Sequence, residues 1–171
     1  MFRFFSLFSA FRQSRTTNAT NQSLAIINGA LNLSSTPMSN ILINGNANLG
    51  KKNEETIFSK LLVVNGNLNS QDVSFETLEV NGNSELNSCI ITHNGEFFGA
   101  AKFTNCKLSK LDLRGNNFIL RDCTVNGDII VRAIMGKGKL ILDNTIVEGE
   151  AKFTTGNGEI IVQNGASIRN P

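Results

Sequence analysis

Apolar and polar residues alternate along most of the chain. Ile91, His93, Gly95, Phe97, Gly99, Ala101 and Phe103 occupy every second position, and so do Cys123, Val125, Gly127, Ile129 and Val131, then Val147, Gly149, Ala151 and Phe153. A period of two places alternate side chains on opposite faces of a strand. The alternation is itself repeated. Cys89, Cys106 and Cys123 fall 17 residues apart. Each follows a small polar residue (Ser88, Asn105, Asp122), and each precedes an aliphatic by two positions (Ile91, Leu108, Val125). The same unit occurs earlier as Asp72, Val73, Phe75 and later as Asn144, Thr145, Val147, the latter after a longer interval of 22. Leu62, Val64, Asn65, Gly66 and Asn67 return 16 residues on as Leu78, Val80, Asn81, Gly82 and Asn83. Leu24, Ile26, Gly29, Leu31 and Leu33 are echoed by Ile41, Ile43, Gly45, Ala47 and Leu49.

Asn-Gly pairs begin at Asn28, Asn44, Asn65, Asn81, Asn94, Asn126, Asn157 and Asn164. Both residues tolerate positive φ, so each pair is expected at a corner. Between strands an Asn-Gly pair usually marks an antiparallel hairpin. A hairpin protein, however, has no reason to return one side-chain type every 17 residues. A coil does, because each turn stacks its residues on the turn below at about 4.8 Å. The expectation is therefore an all-β, single-domain parallel β-helix over residues 24–171, with about 16–22 residues per coil. It is preceded by an amphipathic segment and polar linker, residues 1–23. Residues 51–55 are expected as a charged surface loop, and residues 133–139 as a protruding loop that absorbs the longer interval. Pro37 is expected at a corner, where its missing donor harms no ladder bond. Ile160, Val162, Gly165 and Ile168 form the last coil.

Composition agrees with strands rather than helices. There are 15 Gly and 2 Pro, with no Trp or Tyr, and the chain is rich in Asn, which with Gly is poor in helix interiors. Net charge is +2, but residues 1–53 hold Arg3, Arg12, Arg15, Lys51 and Lys52 and no acid, so the remainder is net acidic. That balance is not built for nucleic acid, where affinity rests on neutralising phosphates. Three widely spaced cysteines make an odd set for a disulfide framework and suit a reducing compartment.

In the N-terminal segment, Met1, Phe2, Phe4, Phe5, Leu7, Phe8 and Phe11 are apolar, whereas Arg3, Ser6, Ser9, Arg12 and Arg15 form a polar stripe at every third residue. On a helix this leaves a wide apolar face. Arginine beside phenylalanine describes an interfacial membrane helix, so Met1, Phe2, Arg3, Phe4, Phe5, Leu7, Phe8, Phe11 and Arg12 are the candidate membrane contacts. Three alternatives remain open: a signal peptide, a mitochondrial presequence, and an apolar cap on the open end of the solenoid. No apolar run approaches the ~20 residues of a spanning helix.

Catalytic and metal-binding patterns are weak. His93 stands alone, and neither Cys-x-x-Cys nor closely spaced histidines occur. The Gly-x-Gly with lysines at Gly136, Lys137, Gly138 and Lys139 lacks the P-loop pattern. Asp112, Arg114, Asp122 and Asp128 are the best local acid–base cluster, at a spacing that ordinary surface charges also produce. No cofactor is expected.

The repeated aliphatic-x-Gly-x-aliphatic units, such as Val125, Asn126, Gly127, Asp128 and Ile129, together with the coil near 17 residues and the short Phe-containing N-terminus, resemble the bactofilins, bacterial polymer-forming cytoskeletal proteins. The resemblance covers residues 24–168. It implies a right-handed helix, a non-enzymatic protein that polymerises end to end without nucleotide, and attachment to the inner face of the cytoplasmic membrane. The implied partners are further copies of the chain, the inner leaflet and cell-envelope proteins, with no nucleic acid. Phe153, Ile160, Val162 and Ile168 are the expected polymer interface. A monomeric module that binds a protein or glycan, and an exported adhesin-like fragment, are the competing expectations.

Overall fold

The corners of this protein explain its coil. In a computed structural model, which describes residues 24–33, 38–50 and 57–169, the polar residue before each ladder position adopts the left-handed conformation. Asp72, Ser88, Asn105, Asp122, Asn144 and Asn164 have φ between 46° and 56°. Short polar side chains bear this region best. A second corner is made by glycines. A Cβ on Gly45 would lie 2.3 Å from the carbonyl oxygen of Gly29, and one on Gly99 would lie 2.5 Å from that of Gly82. Successive coils touch there backbone to backbone, so no side chain fits.

Between corners run three parallel ladders, here A, B and C, and the described chain is all β with no helix. Ladder A stacks residues 57–59, 73–75, 90–91, 107–108, 124–125, 146–147 and 167–168. Ladder B stacks 24–28, 40–44, 61–65, 77–81, 94–98, 110–114, 129–132 and 151–155. Ladder C stacks 31–33, 47–50, 68–71, 84–87, 101–104, 117–121, 139–143 and 159–163. All pairings are parallel, and the whole is a β-solenoid of about seven turns. The expected fold class is what the chain adopts.

Inward positions fill the interior. Phe75, Phe97, Phe103 and Phe118 are fully buried with the Leu, Ile and Val residues of neighbouring coils. The Phe97 and Phe103 rings meet edge to face, 5.0 Å between centroids and 86° between planes, the geometry favoured by the aromatic quadrupole.

The cysteines stack inside the polar corner. The Cys89 N–H donates to Cys106 Sγ at 3.4 Å, the Cys106 N–H to Cys123 Sγ at 3.4 Å, and the Cys123 N–H to the Thr145 hydroxyl at 3.2 Å. Each sulfur or hydroxyl thus accepts the buried corner N–H of the preceding coil, which would otherwise be orphaned. Thr145 continues the row because its oxygen does the same.

Four expectations need correction. The first repeat is offset by one residue: register sets Ala25 and Ile27, not Leu24 and Ile26, opposite Ile41 and Ile43. Asn94–Gly95 and Asn157–Gly158 are not corners but lie inside the strands Ile90–Phe98 and Ala151–Gln163. Their glycines make room for rings: a Cβ on Gly95 would meet Phe97 at 2.8 Å. Residues 133–139 are not a loop either. The strand Ile129–Asp143 runs through them and pairs with Ala151–Gln163, with Lys137 opposite Asn157. The next coil carries its own insertion at 154–158, so the two form a stacked arm. The expected loop at 51–55, Pro37 and all of residues 1–23 lie outside the described residues.

Candidate functional site

The four residues expected at a polymer interface converge on one end of the solenoid. Register places Phe153 over Val131, Ile160 over Leu140, Val162 over Leu142, and Ile168 over Val147. The lower member of every pair is fully buried, yet Val162 is 47 % exposed, and Phe153, Ile160 and Ile168 are only partly buried. Column and chemistry are the same; what differs is the next coil. Among the described residues no strand pairs with the outer edge of Ala151–Gln163 or Ser167–Ile168. Ala151 and Ala166 share this end; Ala151 belongs to the alternating pattern, whereas Ala166 gave no signal in the sequence. Phe153 also reaches into the arm: a Cβ on Gly138 or Gly158 would lie 2.6 Å or 2.2 Å from its ring.

The outer surface is laced by asparagine. Asn44, Asn65 and Asn81 each donate a carboxamide N–H to the Oδ1 of the asparagine one coil below, at 2.8 Å, in a row that starts at Asn28. Beside the glycine corner, Asn46 and Asn67 accept the backbone N–H of Asn67 and Asn83, both at 3.0 Å, and Asn83 accepts that of Ala100 at 3.1 Å. A shallow trough of about 470 Å³ is bordered by Asn46, Asn48, Asn67, Asn69, Asn83 and Lys102.

The acid–base residues do not assemble. Asp112 is held by Arg132 and lies 3.5 Å from Arg114 Nε, while the Arg114 guanidinium stacks 4.5 Å over the Phe98 ring. Asp122 is at the polar corner, accepting from Asn144 at 2.6 Å. Asp128 is at the corner between ladders A and B, accepting the Glu150 N–H at 3.0 Å. Asp112 thus lies on the ladder B face and the other two at separate corners. His93 is exposed, with Glu76 3.9 Å away. Near the open end, the Asn164 amide and the Arg121 guanidinium hold the Asp143 carboxyl below the usual carboxylate range.

Two of the three thiols, Cys89 and Cys106, are suppressed as nucleophiles. The hydrogen bond to Cys123 and burial push Cys106 up to about 12, and the hydrogen bond to Cys106 and burial push Cys89 up. Cys123 is lowered by its hydrogen bond with Cys106. Among the described residues no group of three His, Cys, Asp or Glu side chains is placed to hold a metal ion, and no helix is long and apolar enough to cross a membrane. The candidate membrane contacts Met1 to Arg12 lie outside the described residues. Compared with protein-family models, curated proteins and solved structures, the chain matches none.

Proposed function

We propose that this protein is a non-enzymatic, bactofilin-like structural scaffold that self-assembles end to end through its terminal coils. The observation that supports this reading is the open end itself. Val162 continues the column of the fully buried Leu142 but keeps 47 % of its surface in water. An uncovered coil presents apolar side chains and unpaired strand groups together, a template for another chain of the same pitch. Burying Ile160, Val162 and Ile168 under a second copy contributes up to about 2 kcal/mol per side chain. No nucleotide is needed, since stacking alone supplies the junction.

In this proposal residues 1–12 attach the polymer to the inner face of the bacterial cytoplasmic membrane. Several phenylalanines give weak, reversible binding per chain, and a polymer multiplies it.

Negative-stain electron microscopy over a concentration series is the test. Thin unbranched filaments that appear without nucleotide are expected, together with their loss in Val162→Arg, which buries an unpaired charge at the junction. Discrete particles at every concentration sink the scaffold. Flotation of full-length protein with anionic liposomes, against Phe5→Ser/Phe8→Ser, checks the membrane contact.

The trough beside the asparagine row favours a second reading, a monomeric module that binds a protein or glycan along its side. It predicts particles that stay monomeric as concentration rises.

A further inference from the structure

One outward column of the solenoid changes character after its third coil. On ladder B it reads Ile26, Leu42 and Val63, in register one coil apart, and then Glu79 and Glu96. The three aliphatic side chains are partly exposed, and Leu61 beside Val63 is 37 % exposed. Neither glutamate has an ion-pair partner among the described residues. Glu79 accepts from the Asn81 amide at 3.2 Å and Glu96 from the Asn94 amide at 3.0 Å. Asp112, next in the column, is already held by Arg132. The face is thus apolar over three coils and carries two carboxylates without a countercharge over the next two.

We propose that this face is the docking site for residues 1–15 of the same chain. Three observations select that occupant. The first is spacing. In the helix that the N-terminal pattern predicts, Phe4, Phe8 and Phe11 share one face. The polar stripe recurs every third residue, whereas a helix turns in about 3.6, so the stripe drifts and brings Arg15 onto that same face. Phe4 to Phe11 then covers about 10 Å and Phe4 to Arg15 about 16 Å. On ladder B, Ile26 to Val63 covers about 10 Å and Ile26 to Glu79 about 14 Å. Phe4, Phe8 and Phe11 therefore lie over Ile26, Leu42 and Val63, with Arg15 at Glu79 and Arg12 flanking it within reach of Glu96. The second is charge: residues 1–53 carry arginines and lysines and no acid, the complement of the two glutamates. The third is the tether. The apolar coils are those nearest Leu24, where the segment joins. Residues 16–23 can span up to about 26 Å, more than the return from Arg15 to Leu24 needs, and a short tether supplies millimolar effective concentration.

The consequence, though not the contact, rests on the membrane reading of residues 1–12. A segment that lies on ladder B cannot also insert into lipid, so docking holds the chain off a bilayer until anionic lipid competes for the same side chains. The contact is tested by disulfide cross-linking of full-length protein, with copper phenanthroline as oxidant. Phe8→Cys/Leu42→Cys is compared with Phe8→Cys/Asn48→Cys. Leu42 and Asn48 stand in the same coil, on ladders B and C, and the native cysteines are buried. The Leu42 pair is expected to give an intrachain disulfide in several-fold greater yield, independent of protein concentration. Glu79→Lys/Glu96→Lys is expected to lower that yield several-fold, and adding Arg12→Glu/Arg15→Glu to restore it, with the circular dichroism spectrum unchanged.

Equal yields from the two pairs, or a yield unmoved by the charge reversal, overturn the contact. So does a cross-link confined to dimers that vanish on dilution, which would put the segment of a neighbouring chain on this face. Flotation with vesicles of phosphatidylcholine and phosphatidylglycerol keeps the contact and the membrane reading apart. Leu42→Ser/Val63→Ser, which weakens the docking face, is expected to float several-fold more than the native chain. If neither floats while the Leu42 pair keeps its preference, membrane attachment fails and the contact stands. If both float alike and the preference is absent, the contact fails and the attachment stands. Equal flotation with the preference kept overturns the competition between the two.

Discussion

The two halves of the solenoid hold their outer surfaces by different chemistry along one and the same column. In the first coils the last outward position of ladder B is Asn28, Asn44, Asn65, Asn81, a chain of neutral amide hydrogen bonds. From the fifth coil the column reads Phe98, Arg114, Arg132, held by a ring face and by Asp112. The polar corner changes likewise, from Asn105 donating to Ser88 to Asn144 donating to the Asp122 carboxylate. An amide offers donor and acceptor on one planar group, so identical residues satisfy one another and fix register. Charged groups cannot stack on their own kind and must find an opposite neighbour. Along this column the first half is thus uniform and built of neutral amides, while the second is irregular and charged.

The largest effect that would break this comparison lies at the glycine corner. Gly45→Ala in the uniform half places a Cβ 2.3 Å from a backbone oxygen and should cost about 3 kcal/mol or more, read as a lowered urea midpoint or failure to fold. Gly136→Ala, in the arm, meets nothing within 4 Å at φ 70° and should cost only about 1 kcal/mol. Equal losses would mean that the glycine corner is not a close-packed seam. Comparable in size is Phe103→Ala at the boundary between halves, where a buried ring against Phe97 is lost; about 3 kcal/mol is expected, with hydrogen exchange accelerated in coils on both sides. A smaller change is Asn65→Val, which removes two ladder hydrogen bonds on the surface. A loss of about 1 kcal/mol, the same at pH 4 and pH 8, is the expected result from denaturant melts. Smallest is the acid response of the second half. Asp143 ionises more readily in the folded protein than in the unfolded one. Its contribution is complete above the unfolded value of about 4 and fades as pH falls through the folded one. Asp143→Asn should flatten that acid limb in urea melts. An unchanged limb would assign the acid sensitivity to other carboxylates.

The repeat was legible because a stacked coil writes its period directly into sequence. Cys89, Cys106 and Cys123 occupy one column, and the polar residue before each is the corner. The open end was legible for the same reason: Phe153, Ile160, Val162 and Ile168 continue inward columns. Asn94–Gly95 and Asn157–Gly158 misled because a dipeptide reports local backbone preference, whereas their glycines answer to a ring packed against them. The arm was only half visible. The insertion at 133–139 lengthens the interval between Cys123 and Thr145, but its partner at 154–158 falls beyond the last such landmark and resembles another corner. Ile26 and Ile161 gave no sign of their outward place, because they continue hydrophobic runs in which inward and outward members look alike until register is known.

The ladder hydrogen bonds also set how the protein bears load. They run between coils, along the solenoid axis, so a pull that separates the two end coils strains all the bonds of one coil boundary together, as in a stacked column under tension. Strength then depends on the poorest boundary rather than on the number of coils. Among the described residues the boundary at the arm carries the longest ladder, and the first boundary the shortest, Leu24–Asn28 and Leu31–Leu33 against the next coil, so extension under tension should begin at the first coil.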